Sequence, residues 1–171
     1  MFKFIEGGNF FDGVKCFFEQ NLIQYKGLLV DFLEIGSFEG RSSLWMLENI
    51  LTHTNATLTC IDMWQYPPEP FYENAYSNFL YNMVVGNFIH KTTFYKMISN
   101  EALKILSIKD KKYDFIYIDG AHHSPHPLED AVLSFPLLKV GGTLAFDDYL
   151  WDIDTSIKIF RELQININKL I

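Results

Sequence analysis

Short apolar runs alternate along this chain with segments in which apolar residues recur at helical spacing. Five runs are almost continuously apolar or β-branched, and they cover residues 28–35, 56–63, 92–98, 113–118 and 143–146. Runs of this length and composition are typical of strands whose two faces are both buried. Since helical segments separate them, the pattern predicts an α/β fold with a doubly wound, mostly parallel sheet of about five strands and helices on both faces.

The helical segments predict how that sheet is covered. Leucine recurs every three or four residues after Gly40, and similar spacing covers residues 12–25, 71–85, 101–108 and 155–163. A further helix is expected to begin at Pro127 and to end at Gly141-Gly142, with three residues on its inner face: Leu128, Val132 and Phe135. The predicted layout is Rossmann-like, and ligands of such sheets bind beyond the carboxyl ends of the strands.

Length and composition indicate one domain with a substantial core. The chain has 171 residues, of which 49% are hydrophobic, and neither repeats nor low-complexity tracts divide it. We therefore expect a single domain with a leading helix in residues 1–27, a core in residues 28–149 that carries the chemistry, and a terminal helix in residues 150–171.

Charge and cysteine content exclude several classes of function. Lys and Arg number 14 against 21 Asp and Glu, a formal net charge of −7, so a broad nucleic-acid surface is not expected. Two cysteines exclude a disulfide framework and a cysteine-rich zinc site. Because no apolar run is long enough for a membrane span and no secretory signal is evident, the sequence predicts a cytoplasmic protein without membrane contact.

The turn after the first predicted strand is a candidate nucleoside site. Residues 34–43 read Glu-Ile-Gly-Ser-Phe-Glu-Gly-Arg-Ser-Ser, in which Gly36 and Gly40 allow a sharp turn and a close approach of the backbone to a ligand. Asp62 ends the second strand about twenty residues later, where an acidic side chain can accept hydrogen bonds from both ribose hydroxyls. Taken singly, the turn is equally an ordinary strand-to-helix connection, and Asp62 a helix cap or a surface acid.

Acidic side chains follow the fourth and fifth predicted strands. Asp119 begins Asp-Gly-Ala-His-His and Asp147-Asp148 follow the fifth strand, so neighbouring strand ends would bring three carboxylates together. Such carboxylates repel one another unless a cation lies between them, and oxygen ligands suit Mg²⁺ or Mn²⁺. Histidine takes up protons near neutral pH, which makes His122 a candidate general base, with His123 as the alternative. The competing interpretation is that the aspartate pair caps the following helix.

Three blocks of this sequence resemble class I S-adenosylmethionine-dependent methyltransferases. They are Glu34-Ile-Gly-Ser-Phe-Glu-Gly-Arg-Ser with Asp62, Tyr113-Asp-Phe-Ile-Tyr-Ile-Asp-Gly-Ala-His, and Leu137-Leu-Lys-Val-Gly-Gly-Thr-Leu-Ala-Phe-Asp-Asp-Tyr. The resemblance runs over residues 28–149, and residues 113–149 carry its most specific part. Within that family the chain is similar to metal-dependent O-methyltransferases of the macrocin and sugar type, and more distantly to the catechol type.

The resemblance implies a role for each matching position. S-Adenosylmethionine would be bound by residues that follow the first four strands: Glu34, Gly36, Ser37, Gly40, Ser42, Asp62, Met63, Ser99, Asn100 and Asp119. Mg²⁺ (or Mn²⁺) would be held by Asp119, Asp147 and Asp148. The catalytic residues would be Asp119 and His122, the latter taking the proton from a substrate hydroxyl, while Ala121 stands where other members carry an acid.

The implied reaction is methyl transfer to a hydroxyl of a small molecule. The resemblance favours a sugar or glycosylated metabolite over a catechol as that molecule. Five aromatic residues are candidates for a wall around that substrate, although packing in the core or in a lid explains each of them, taken singly, at least as well: Trp64, Tyr66, Phe71, Tyr72 and Trp151. Family members usually continue into two more strands, whereas the sequence after Asp148 ends at Ile171. We therefore expect either that the last helix and a second copy of the chain cover the fifth strand, or that the chain is part of a longer protein.

Two other classes of function remain open from the sequence. A nicotinamide-dependent oxidoreductase has a similar fold, but its first turn usually reads Gly-x-Gly-x-x-Gly, and only Gly36 and Gly40 are present here. A protein that keeps the methyltransferase fold and binds the cofactor without turnover is the second alternative. Binding of S-adenosylhomocysteine, compared with binding of NADH, would separate the oxidoreductase from the other two.

Overall fold

The computed structural model describes residues 1–65, 73–123 and 125–147. Five strands form one sheet: β1 (Asp31–Ile35), β2 (Thr57–Asp62), β3 (Thr92–Lys96), β4 (Tyr113–Ile118) and β5 (Leu138–Phe146). All neighbouring strands are parallel, in the order β3-β2-β1-β4-β5. The order reverses between β1 and β4, which places the ligand crevice of such a sheet beyond their carboxyl ends. The predicted α/β, Rossmann-like fold is therefore confirmed.

Helices cover both faces of this sheet. The face that packs against Phe18, Leu47 and Phe79 is covered by α1 (Asp12–Asn21), α2 (Arg41–Asn49) and α3 (Ala75–Val85). The opposite face packs against Leu103 and Ala131, which belong to α4 (Ser99–Ile108) and α5 (His126–Ser134). Single 3-10 turns extend the chain at Ile23–Tyr25, Ile89–Lys91 and Phe135–Leu137.

Strand alternation divides the core between these two helical layers. Phe115 and Tyr117 pack on the side of α1–α3, whereas Ile116 and Ile118 pack on the side of α4 and α5. The ring of Phe18 meets that of Tyr117 edge to face, with 4.9 Å between the centroids. The end of β4 therefore borders both layers, and the residues that follow it can contact either.

The inner face of α5 differs from the predicted one at Val132, whereas Leu128 and Phe135 pack against the core as predicted. Its buried residues are Pro127, Asp130, Ala131 and Ser134, which recur at helical spacing, whereas Val132 is 52% exposed. The prediction for Val132 was wrong because it ranked positions by hydrophobicity. The face of α5 that packs inward instead carries small side chains and one carboxylate, which allow the helix to lie close to its neighbours.

The sequence predicted that the helix beginning at Pro127 ends at Gly141-Gly142. In the structure both glycines lie inside β5, and the helix ends earlier, at Ser134. Gly141 has φ +81°, and a Cβ on Gly142 would lie 2.9 Å from the carbonyl oxygen of Asp114. The pairing of β4 with β5 shifts register between Tyr113 and Phe115. The glycines therefore allow an irregularity of the ladder at which a side chain would not fit.

The other predicted elements within the described ranges are confirmed with shifted ends. The leading helix ends at Asn21 and β1 begins at Asp31, while β4 has the predicted bounds. The helix predicted at residues 155–163 lies outside the described residues. β5 is the outer strand of the sheet in this part of the chain, and its cover by a second copy stays a prediction. No helix within the described ranges is long and apolar enough to cross a membrane.

Candidate functional site

The loops after β1 and β4 touch at Gly36. Its φ is +88°, and a Cβ built on it would lie 1.9 Å from the carbonyl oxygen of Asp119. The Gly36 N–H donates to the carbonyl oxygen of Ile61 at 2.8 Å, and the Asp119 N–H donates to that of Ile35 at 2.7 Å. Only glycine fits this crossing, so the predicted nucleoside turn and the predicted acidic residues are held against each other.

Glu34 lies at the centre of a buried hydrogen-bonded cluster. Its carboxylate is fully buried and accepts hydrogen bonds from the hydroxyls of Ser37, at 2.7 Å, and of Ser42 and Ser43. The thiol of Cys60 donates to the same carboxylate at 3.6 Å. Burial raises the pKa of the Glu34 carboxyl, and the hydrogen bonds oppose that shift. Three predicted cofactor residues are thus brought together by contacts that fix the turn.

Asp62 ties the β1 turn to the end of β2. Its Oδ2 accepts the backbone N–H groups of Ser37, at 3.0 Å, and Phe38, at 2.9 Å, and its Oδ1 accepts that of Trp64 at 2.7 Å. Phe38 and Trp64 have φ of 45° and 46°, a conformation that bulky residues adopt only where the surroundings impose it. The contact of Asp62 with ribose hydroxyls stays a prediction, and its neighbour Met63 is 43% exposed. We call Glu34, Ser37, Ser42, Ser43 and Asp62 the β1 cluster.

The other side of the β1 turn packs against α3 and the start of the chain. Glu39 is fully buried and accepts the N–H of Ile5 at 2.9 Å and the side-chain amide of Asn78 at 2.6 Å. Gly40 has φ +81°, and a Cβ there would lie 2.9 Å from the terminal methyl of Met83. The second glycine is therefore required by packing as well as by backbone conformation.

Trp64 is a core residue, which favours the core-packing interpretation over the substrate wall. Its side chain is 7% exposed and its ring lies 5.0 Å from that of Tyr76 and 4.8 Å from that of Phe79. Its indole N–H donates to the carbonyl oxygen of Phe38 at 2.7 Å. The other four aromatic candidates lie outside the described residues.

Asp119 and Asp147 lie side by side at the ends of β4 and β5. They follow the paired residues Ile118 and Phe146, and the Asp147 N–H donates to the carbonyl oxygen of Ile118 at 2.9 Å. Burial and the charges of both aspartates raise the pKa of the Tyr117 phenol well above its usual range. Both carboxylates are therefore near the Tyr117 hydroxyl, as expected from strand order.

The predicted metal ligands are only partly within the described ranges. Asp148 lies outside them, and among the described residues no three His, Cys, Asp or Glu side chains form a group that can hold a metal ion. The donor chemistry of Asp119 and Asp147, two carboxylates on adjacent strand ends, fits a hard cation. His122 and His123 are both exposed, and the choice between them stays a prediction.

Three further groups at this end of the sheet were not all anticipated. The buried Tyr117 hydroxyl shares a hydrogen bond with Asp147, whereas Asn100 Oδ1 and Asp130 Oδ1 are buried and have no hydrogen-bond partner among the described residues. The Nε of Arg41 shares this property, but its guanidinium stacks on the Phe4 ring at 3.9 Å. Buried polar groups without partners are rare in folded proteins, and each calls for an explanation such as an ordered water, an ion or a ligand.

Asp130 is the residue that sequence reasoning missed. It is 2% exposed, it shares a hydrogen bond with Ser99, and its Oδ2 lies 3.6 Å from the position of a Cβ on Gly120. Burial raises the pKa of its carboxyl to about 6. The available signal was an acid at helical spacing from Pro127 and Ser134. We call Ser99, Asn100 and Asp130 the α4–α5 cluster.

Comparison with known proteins gives one family and many similar folds. Residues 33–149 match the family described as a methyltransferase domain. No curated protein sequence matches the chain significantly. Three solved structures illustrate the fold: a precorrin 8W decarboxylase of Methanobacterium thermoautotrophicum, a Staphylococcus aureus protein provisionally named a caffeoyl-CoA O-methyltransferase, and a Bacillus cereus O-methyltransferase in complex with SAH.

Identity to these three structures is low, so the likeness concerns the fold. In the order given, identities are 16%, 22% and 16%, and TM-scores are 0.58, 0.59 and 0.52. The alignments cover 82%, 82% and 64% of this chain, and 63%, 57% and 44% of those chains. The chain thus spans less than two thirds of the length of each of these neighbours.

Proposed function

Because the chain belongs to the methyltransferase domain family, we propose that it transfers a methyl group from S-adenosylmethionine to a hydroxyl oxygen of a small molecule. Membership of the family confirms the resemblance drawn from the sequence. The observation that carries the proposal is the contact of Gly36 with Asp119. It joins the turn assigned to the nucleoside cofactor to the strand ends assigned to the acceptor, as group transfer between two bound molecules requires.

On the cofactor side, the β1 cluster provides a rigid turn. Since Glu34 and Asp62 hold that turn from two directions, the backbone at Gly36 and Gly40 has a fixed position for the methionine part. We assign the ribose to Asp62 and the base to Ser99 and Asn100. The buried, unpartnered Oδ1 of Asn100 fits a nucleoside base because it calls for a donor that the described residues do not supply.

On the acceptor side, we propose Asp119, Asp147 and Asp148 as the ligands of Mg²⁺ or Mn²⁺. When bound, the ion supplies a Lewis acid that favours the ionised form of an acceptor hydroxyl. The described carboxylates follow paired residues on β4 and β5, so both are held by the sheet. Because the backbone of Asp119 contacts Gly36, an acceptor bound at these carboxylates would lie beside the cofactor turn.

The proton of the acceptor hydroxyl is assigned to His122. As the hydroxyl oxygen forms a bond to the methyl carbon, the carbon–sulfur bond breaks and its electron pair stays on sulfur as a neutral thioether. The imidazole of His122 accepts the proton, and it is exposed at the mouth of the site, where it can pass the proton to water. A neutral thioether leaves a sulfonium readily, so positioning and deprotonation are the main tasks of the protein.

We propose a sugar or glycosylated metabolite as the acceptor, ahead of a catechol. The support is the similarity of residues 113–149 to the sugar-directed O-methyltransferases, together with Ala121 in the place where other members carry an acid and with an exposed His122 beside it. A polar acceptor with several hydroxyls also suits a site edged by carboxylates, which can accept hydrogen bonds from hydroxyls that do not react.

The test is methyl transfer from labelled S-adenosylmethionine to a panel of sugars, glycosides and catechols, with Mg²⁺ and with a chelator. We expect transfer to a hydroxylated acceptor that needs the cation and is lost in Asp147→Asn. Asp12→Asn, which neutralises an exposed acid at the start of α1, is the matched control. Binding of S-adenosylhomocysteine without transfer to any acceptor would favour a binding protein, and binding of NADH instead would favour an oxidoreductase.

A further inference from the structure

We propose that residues 3–8, which we call the strap, fix the cofactor turn at residues 36–40, so that docking of the strap and binding of S-adenosylmethionine favour each other. Glu39 and Asn82 are the positioning residues through which the strap acts. This inference rests on the proposed function, because it concerns the turn assigned to the cofactor. It adds to the site a segment before α1 and a residue of α3, to which the sequence assigned no role there.

Asn82 joins the strap to the turn from the buried side of α3. Its side chain is fully buried, its Oδ1 accepts the backbone N–H of Lys3 at 2.7 Å, and its Nδ2 donates to the carbonyl oxygen of Lys3 at 2.8 Å. The same Nδ2 donates to the backbone carbonyl oxygen of Glu39 at 3.0 Å. One side-chain amide therefore holds the backbone of the strap and the backbone of the turn at the same place.

Glu39 joins the same two segments through its carboxylate. The side chain is fully buried, its Oε2 accepts the Ile5 N–H at 2.9 Å, and its Oε1 accepts the side-chain amide of Asn78 at 2.6 Å. Among the described residues, the Ile5 N–H is the only donor to Oε2. Because a buried carboxylate oxygen without a donor is costly, Glu39 keeps its place in the turn only while the strap is docked.

The turn needs these constraints because its backbone is left-handed on both sides of Glu39. Phe38 has φ 45° and Gly40 has φ +81°. A bulky residue keeps such a conformation only where its surroundings impose it. Asp62 holds one side by accepting the Phe38 N–H at 2.9 Å, and the strap holds the other side through Glu39. Release of the strap would therefore lower the population of the turn conformation that receives the cofactor.

Side chains of the strap also contact both helices that flank the turn. The guanidinium of Arg41, at the start of α2, lies 3.9 Å from the centre of the Phe4 ring. The Nζ of Lys3 lies 4.2 Å from the centre of the Tyr81 ring on α3. The strap thus crosses the turn from one helix to the other.

Docking of the strap and binding of the cofactor are therefore linked. If the turn binds the cofactor well only under a docked strap, the apparent dissociation constant rises as the docked fraction falls. Thermodynamic linkage requires that the bound cofactor favours the docked strap by the same factor by which docking favours the cofactor.

The strap provides its own matched pair of variants. Ile5→Pro removes the N–H that Glu39 accepts, because proline has none. The Gly8 N–H donates to the carbonyl oxygen of Ile5 at 3.2 Å, and Gly7 has φ +81°, so residues 5–8 form a turn. Glu6 is the second residue of that turn, a position that favours proline, and Glu6→Pro is therefore the control.

The test is calorimetric titration of the full chain with S-adenosylhomocysteine, together with hydrogen–deuterium exchange of the strap amides with and without that ligand. We expect Ile5→Pro to weaken binding by about tenfold and Glu6→Pro to leave it unchanged. Lys3→Pro, which removes the N–H accepted by Asn82, should act as Ile5→Pro does. In the intact chain, saturating ligand should slow exchange of the strap amides by at least about tenfold. Exchange in the loop at residues 109–112, at the opposite edge of the sheet, should stay unchanged.

Three results would overturn this inference while the proposed function stands. If the intact chain, Ile5→Pro and Lys3→Pro bound the ligand equally well, the strap would serve stability only. Strap exchange that does not respond to bound ligand would show that docking and binding are independent. Equal weakening in Glu6→Pro and Ile5→Pro would contradict the role of Glu39. Failure of the intact chain to bind S-adenosylhomocysteine would instead overturn the proposed function together with the inference.

Discussion

The β1 cluster and the α4–α5 cluster are both buried and polar, but they differ in how their hydrogen bonds are made. Every carboxylate oxygen of Glu34 and Asp62 has a donor, supplied by serine hydroxyls or backbone N–H groups. In the α4–α5 cluster, Asn100 and Asp130 each keep one oxygen without a partner among the described residues. Satisfied groups stabilise a fold, whereas an unsatisfied buried acceptor costs about 1–3 kcal/mol until a ligand supplies the donor. The comparison thus indicates that the contacts of the β1 cluster fix the turn, whereas Asn100 and Asp130 each bury an acceptor that has no donor among the described residues.

The largest expected effect is on the crossing that joins the two regions. Gly36→Ala places a methyl group 1.9 Å from the Asp119 carbonyl oxygen at a φ that alanine disfavours. We expect the free energy of unfolding in urea to fall by about 3–5 kcal/mol, with loss of cofactor binding. Gly13→Ala is the control, because a Cβ there meets nothing within 4 Å and the site lies in a helix. Equal stability of the two variants would show that the loops do not meet at Gly36.

Removal of the central acid of the β1 cluster should have the next largest effect. Glu34→Ala leaves three serine hydroxyls and a cavity in a fully buried site. We expect a loss of about 2–4 kcal/mol in the free energy of unfolding. Glu48→Ala, an exposed acid on α2, should change it by less than about 0.5 kcal/mol. If Glu34→Ala were as stable as the intact chain, the claim that the β1 cluster stabilises the fold would be wrong.

Neutralising the acid of the α4–α5 cluster should raise the free energy of unfolding, whereas removing Glu34 should lower it. The pKa of Asp130 is raised from 3.8 to about 6, so the folded state binds its proton more tightly than the unfolded state does. Its contribution to stability is complete below pH 3.8 and is lost as pH rises through about 6. Asp130→Asn removes this loss, and above pH 6 it should increase the free energy of unfolding by about 1–3 kcal/mol.

A pH series of urea unfolding checks that sign. The difference in stability between Asp130→Asn and the intact chain should grow between about pH 4 and pH 6 and then stay constant. Subtracting the two curves removes the contribution of Glu34, whose pKa is raised in the same direction. A difference that shrinks as pH rises would mean that the folded state favours the ionised form of Asp130.

The smallest expected effect concerns the helix face that sequence reasoning misplaced. Val132 is 52% exposed, so Val132→Ala should change the free energy of unfolding by no more than about 0.5 kcal/mol. Ala131→Val on the buried face, by contrast, inserts two methyl groups and should cost about 1–3 kcal/mol. If Val132→Ala lowered the free energy of unfolding by more than Ala131→Val does, Val132 would lie on the buried face of α5, as the sequence predicted.

The parallel sheet, with Asp119 and Asp147 at neighbouring strand ends, could be predicted because it follows from local patterns. The run from Tyr113 to Ile118 is buried on both faces and flanked by polar residues, so its bounds match the strand. The burial of Asp130 could not be predicted, because it depends on contacts with Ser99 on α4 and with Gly120 in the loop after β4, and neither contact is visible in the local pattern. The glycine pair at 141–142 was misread for a similar reason, since its close contact is with the backbone of Asp114 on the neighbouring strand.

The central claim is that the two buried clusters differ in how their carboxylates serve the fold, and Asp130→Asn tests it most directly. Its free energy of unfolding would be measured at pH 7.5 beside that of the intact chain. The account predicts that the variant is more stable by about 1–3 kcal/mol, because it no longer buries an ionised carboxylate that lacks a donor. A variant that loses stability would contradict the account, because Asp130 would then stabilise the fold as Glu34 does.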